Sequence, residues 1–123
     1  HECGMIYVHH ADCICEPIVE DMAEIGVDIW QGVIPQNDIL SIQERLGGRM
    51  ALIGGVDGPA IDDPDTTDAE IMTEVHRCVD TYCPAGRFYP GAPAHLLREP
   101  NEHLVEADLR VYGAQWAREH PIR

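Results

Sequence analysis

Residues 25–55 read IGVDIWQGVIPQNDILSIQERLGGRMALIGG. Within them, Val27-Asp28-Ile29-Trp30 and Met50-Ala51-Leu52-Ile53 are short apolar runs of strand length. Between the runs, Ile39, Ile42 and Leu46 repeat at helical spacing; Asn37 or Asp38 stands ready as a cap, and Gly47-Gly48 ends the pattern. A strand, a helix and a second strand in about 30 residues make a parallel crossover unit.

The unit recurs outward in both directions. Upstream, Met5-Ile6-Tyr7-Val8-His9 reads as a buried strand, and a helix is expected from Glu16-Pro17 with Ile18, Met22 and Ile25 as its stripe, closed by Gly26. Downstream, Thr67 and Glu70 form a capping box. The helix behind it carries Ile71, Val75, Cys78 and Tyr82, with Met72 and Val79 flanking. Arg87-Phe88-Tyr89 is the fourth strand; Val105, Leu109, Tyr112 and Trp116 stripe the last helix, with Trp116 as a core anchor. Four strand–helix units imply an α/β fold with a parallel sheet. An open doubly wound sheet and half of an eight-stranded barrel both fit, and no Gly-x-Gly-x-x-Gly supports a dinucleotide fold.

Composition narrows the chemistry. The chain has 123 residues, with 22 acidic side chains against 8 basic ones, and a formal charge of −14. All the cations are arginine, so Schiff-base and phosphate-loop lysines are excluded from this stretch. Such an acidic chain is a poor partner for nucleic acid or anionic membranes, and no apolar run reaches membrane-spanning length. Five cysteines without a secretory signal read as reduced thiols in a cytoplasmic protein, with Cys78 and Cys83 structural. The acidic run 62–68 lacks the ligand alternation and central glycine of a calcium loop. The opening on histidine four residues before a strand-like run reads as a cut chain.

Both architectures bind ligands at the carboxyl ends of their strands. Collected there are His9, His10 and Asp12 after the first strand, and Trp30, Gln31, Gln36, Asn37 and Asp38 after the second. Gly54, Gly55 and Asp57 follow the third strand, and Tyr89, Pro90 and Gly91 the fourth. His10-Ala11-Asp12-Cys13 holds three zinc-ligand types, against the alternative of a histidine hydrogen-bonding substrate while Asp12 caps the next helix. Asp57, in a glycine-rich turn, has the chemistry of an acid, a base or a hydrogen-bond acceptor, and the same turn is also an ordinary strand-to-helix connection. His76, His95 and His103 are expected at the surface.

The runs His10-Ala11-Asp12-Cys13-Ile14-Cys15-Glu16-Pro17, Ile25-Gly26-Val27-Asp28-Ile29-Trp30-Gln31, Ile34-Pro35-Gln36-Asn37-Asp38-Ile39 and Leu52-Ile53-Gly54-Gly55-Val56-Asp57 together resemble the uroporphyrinogen decarboxylase superfamily. The resemblance implies the C-terminal half of a (β/α)8 barrel across residues 1–123, with an N-terminal half as partner. It implies one of two activities, of which the His10-x-Asp12-Cys13 cluster favours the first. The first moves a methyl group from a corrinoid protein to a thiol, with zinc on His10, Asp12 and the adjacent Cys13 making the thiolate. The second removes carboxyls from a tetrapyrrole in haem biosynthesis without a cofactor. His10 and Asp57 are then the candidate catalytic residues; Trp30, Gln31, Asn37, Gly54, Gly55 and Tyr89 are the candidate substrate contacts. The family's later metal-ligand position falls near Ala92, which is no ligand, with His95 close by. By itself the half is expected to be inactive; a non-catalytic piece whose bare edges associate is the third reading.

Overall fold

The computed structural model describes residues 2–92 and 97–121. It is an α/β fold around a four-stranded sheet of β1 (Val8–His10), β2 (Ile29–Val33), β3 (Ala51–Gly55) and β4 (Phe88–Gly91). Every pairing is parallel and the spatial order is β1-β2-β3-β4, with no reversal. Doubly wound sheets reverse their order at a switch point. Right-handed crossovers taken in unbroken order instead deliver successive helices to one face.

Burial along the strands shows that one-sidedness. The register row His9–Trp30–Leu52–Phe88 faces the helices, and the last three of these side chains are buried. The neighbouring row, His10–Gln31–Ile53–Tyr89, faces the other way and is half-buried or exposed, with Tyr89 61% accessible. On the covered face lie α1 (Val19–Glu24), α2 (Ile39–Leu46) and α4 (Asp68–Tyr82), which supply Val19, Ile42, Leu46, Ile71 and Val75 to the core. A short α3 (Gly58–Ile61), absent from the sequence expectation, follows β3 with Pro59 in its first turn. The chain ends in α5 (Glu99–Asp108), a π-helical turn over Leu109–Gly113, and α6 (Ala114–Glu119). Among the described residues no helix is long and apolar enough to cross a membrane.

Helix α2 follows its sequence closely. Asp38 caps it by accepting from Ser41 N–H, Gly47 closes it in the left-handed region, and Ile39, Ile42 and Leu46 are buried. Helix α4 starts with the capping box, both halves made. Three expectations are corrected. Residues Glu16–Ile18 form a 3₁₀ turn, and its tighter winding shifts the buried face to Cys15, Val19 and Met22, leaving Ile18 and Ile25 exposed. The first strand begins at Val8, because its ladder starts opposite Ile29; Met5 and Ile6 stand 70% and 69% accessible. The π turn adds a residue per turn to the last helix, so Val105 is buried but Trp116 rotates partly out and stacks on His120 instead of anchoring the core.

The other three strands run further than their apolar cores suggest. They continue through glycines that a pattern reading takes as terminators. Gly32 (φ 99°) makes room for Asp12, and a Cβ there would strike that carboxylate. Gly54 (φ 144°) lies against the Val33 backbone, where β2 and β3 change register.

Candidate active site

The carboxyl ends of β1 and β2 bring three predicted residues together. His10 and Gln31 are direct register partners. The His10 Nδ1 meets Gln31 Oε1, and its Nε2 meets Asp12 Oδ2 at 3.0 Å. Both ring nitrogens therefore face oxygen acceptors. The neutral ring donates to one of them and the protonated ring to both. Asp12 turns its second oxygen, Oδ1, inward against Gly32, where it is buried without a hydrogen-bond partner among the described residues. The His10 side chain stays about half accessible. The trio can hold a proton between His10 Nε2 and Asp12 Oδ2.

Tyr89 shares this face, three strands away along the same row. At about 4.8 Å per strand, it stands roughly 14 Å from His10, too far for direct contact.

Trp30 and Asn37 are placed differently from the expectation. Trp30 points to the helix side, fully buried, and its indole donates to Ala11 O at 2.9 Å. It offers no surface to a substrate. Asn37 is buried, and every polar atom of its side chain serves backbone. Its Oδ1 accepts from Cys15 N–H (3.0 Å) and Glu16 N–H (3.2 Å), while Nδ2 donates to Cys13 O and Ile34 O, both at 3.1 Å. Gly54 and Gly55 are likewise buried and pack against Val33, Phe88, Cys78 and Tyr82, so the close approach they allow is between parts of the chain.

The turn after β3 is braced from α4 by two residues that sequence reading passed over. Arg77 pairs with Glu74 through two 2.6 Å contacts and donates to Gly55 O at 3.0 Å. Glu74 Oε1 also accepts from Asp57 N–H at 2.7 Å. The Glu74 carboxylate holds the Arg77 guanidinium well above its usual pKa, against the opposing effect of burial. Asp57 itself keeps a buried Oδ1 with no hydrogen-bond partner among the described residues, a free acceptor at the strand end. Their three-residue spacing on a helix was the available signal.

Cys13 Sγ lies 3.6 Å from Cys15 Sγ. No group of three His, Cys, Asp or Glu side chains among the described residues is placed to hold one ion. His10 and Asp12 are two donors, one short of what a catalytic zinc takes from its protein. His95 lies outside the described residues.

Other polar groups cluster away from the strand ends. His76, expected to stand alone at the surface, stacks on Tyr112 at 3.7 Å and pairs with Asp108 at 3.1 Å, while Tyr112 donates to Asp80. A cavity of about 730 Å³ lies beside β4 and the C-terminal helix, lined by Arg87, Phe88, Tyr89, Leu109, Trp116 and His120 among others. Comparison with known proteins adds no family: no family model matches the chain, and no curated protein matches it.

Proposed function

We propose that the chain is the C-terminal half of an α/β barrel of the uroporphyrinogen decarboxylase type, and that His10, Asp12 and Gln31 are its contribution to the active site. The unbroken strand order and the bare face support the half-barrel reading, since a barrel turns one face of its sheet inward and covers the other with helices. The observation that carries the functional reading is the His10–Asp12 pair, with Gln31 on the other ring nitrogen, at the ends of adjacent parallel strands.

That arrangement favours metal-free proton transfer. When a carboxylate leaves as carbon dioxide, the carbon it leaves needs a proton. The His10 ring, oriented by Asp12 and Gln31, can deliver one, a role worth roughly 10²–10⁴ in rate. Tyr89 would meet the far side of a flat ligand on the same face. The substrate class is then a carboxylated tetrapyrrole. Methyl transfer from a corrinoid protein to a thiol is the second reading. It draws on the His10-x-Asp12 spacing and requires a third zinc ligand from beyond the described residues.

The test uses protein expressed with the preceding half of the barrel. We expect it to convert uroporphyrinogen to coproporphyrinogen without added metal, and His10→Gln to slow that conversion by about 10²-fold or more. No conversion, together with one tightly bound zinc per chain that His10→Ala removes, would overturn the decarboxylase reading in favour of methyl transfer.

A further inference from the structure

The chain has five free cysteines, and two of them meet. Cys13 and Cys15 lie in the β1–α1 connection with their Sγ atoms 3.6 Å apart. Their backbones are held from outside the connection by one buried side chain. Asn37 donates to Cys13 O at 3.1 Å and accepts from Cys15 N–H at 3.0 Å. The proximity of the sulfurs is therefore built into the fold through a clasp 22 to 24 residues away in sequence. The two thiols differ in access: Cys13 is exposed, and Cys15 is buried at the edge of the core.

From this arrangement we infer that Cys13 and Cys15 form a reversible dithiol–disulfide site that exchanges with low-molecular-weight disulfides of the glutathione class. Cys13, the accessible thiol, attacks first as its thiolate. Its sulfur bonds to one sulfur of the reagent, the reagent's S–S bond breaks, and the first leaving thiolate takes up a proton. The Cys15 thiolate then attacks Cys13 Sγ, the mixed disulfide breaks, and the second reagent thiol leaves. The protein loses two electrons and two protons, and the reagent disulfide is reduced to two thiols. Closure brings the sulfurs from 3.6 Å to about 2.05 Å, by side-chain rotation on a backbone that Asn37 already holds. A ring across a single intervening residue is strained, which places this couple among the readily reduced, labile disulfides. The inference does not depend on the reaction assigned to His10.

The 123-residue chain itself is the material for the test. It is equilibrated in glutathione mixtures from reducing to oxidising, quenched with acid, and cut on the amino side of aspartate. Cleavage before Asp12 and Asp21 isolates segment 12–20, whose only cysteines are Cys13 and Cys15. We expect this segment to become lighter by two hydrogens in the oxidising mixtures and to regain them with dithiothreitol, whatever glutathione the exposed Cys3 takes up on segment 1–11. Cys15→Ser should stop at glutathione on Cys13. Cys13→Ser, at an exposed position, should show neither the hydrogen loss nor an adduct on Cys15. A wild-type segment that stays reduced in the most oxidising mixture, or ends as a stable glutathione adduct on Cys13, overturns the proposal.

Discussion

Asn37 shows how one residue can look functional in sequence and be structural in fact. A polar side chain just past a strand end reads the same whether it serves a ligand or the backbone. Only the folded chain shows that its four hydrogen bonds run to Cys13, Ile34, Cys15 and Glu16. Asn37→Ala leaves buried backbone groups unpaired, so we expect a loss of about 2–4 kcal/mol, read as a lower urea midpoint at unchanged slope. A loss below about 1 kcal/mol would mean that water replaces the clasp. Gly54 makes the same point through sterics. Its Cβ would collide with the Val33 backbone at positive φ, so Gly54→Ala should cost more than about 2 kcal/mol. Gly47→Ala, also at positive φ but with open space around it, should cost about 1 kcal/mol in the same titration. His10 and Asp12 were legible because they are titratable types leaving a strand. Gln31 was legible as a polar residue at the end of the next strand, but its contact with His10 was not. The role of Asp12 against Gly32 was not, since nothing local in the sequence ties the two.

At the scale of elements, legibility follows how local the determining interaction is. Helix α2 and the start of α4 are set by caps and apolar spacings a few residues apart, and both were read correctly. Thr67→Ala removes the hydroxyl's share of the capping box, in which Thr67 Oγ1 accepts from Glu70 N–H and donates to Glu70 Oε2, and keeps the backbone N–H of residue 67 that also donates to Glu70 Oε2. The expected cost is about 1 kcal/mol, a fall of roughly 4 °C in Tm. The Thr67 backbone and hydroxyl bonds hold the Glu70 carboxyl below its ordinary pKa, so the native state binds this proton less readily than the unfolded chain. Its contribution is present above the unfolded carboxylate range near pH 4.5 and is lost as pH falls through the lower native value. The penalty of Thr67→Ala should therefore shrink on acidification, a trend that thermal melts at pH 7 and pH 3 would check. Where a helix departs from 3.6 residues per turn, the reading slipped. The 3₁₀ turn before α1 and the π turn before α6 each rotate the stripe, and neither is written in the apolar spacing itself.

For the whole molecule, the strand count, parallel pairing and helical layer were legible, because alternating strand and helix patterns admit few topologies. An uncovered apolar face was legible too, as a consequence of half a barrel; which residues line it was not, because Ile29, Ile53 and Tyr89 are as apolar as the residues that the helices cover. The same one-sided core makes a prediction about alkali. Burial pushes the Cys78 thiol from an ordinary 9.0 up to about 12; burial and contact with Cys13 raise Cys15 to about 11; burial and the nearby Asp80 carboxylate raise Cys83 to about 11. The Tyr112 phenol is raised in the same sense by its hydrogen bond to Asp80. In each case the native state keeps a proton that the unfolded chain has released. The stability tied to these groups is whole below about pH 9 and is lost as pH climbs toward 12. Each thiol titrating only in the unfolded state lowers stability by about 1.4 kcal/mol per pH unit. Urea midpoints measured from pH 7 to 11 should thus be flat at first and then fall. Cys78→Ala starts from a lower midpoint, since it empties core volume, but its alkaline decline should be shallower than that of wild type. Cys3→Ser, at an exposed thiol, should decline as wild type does. If Cys78→Ala declines as steeply as wild type, the alkaline loss does not come from the thiol beneath the sheet.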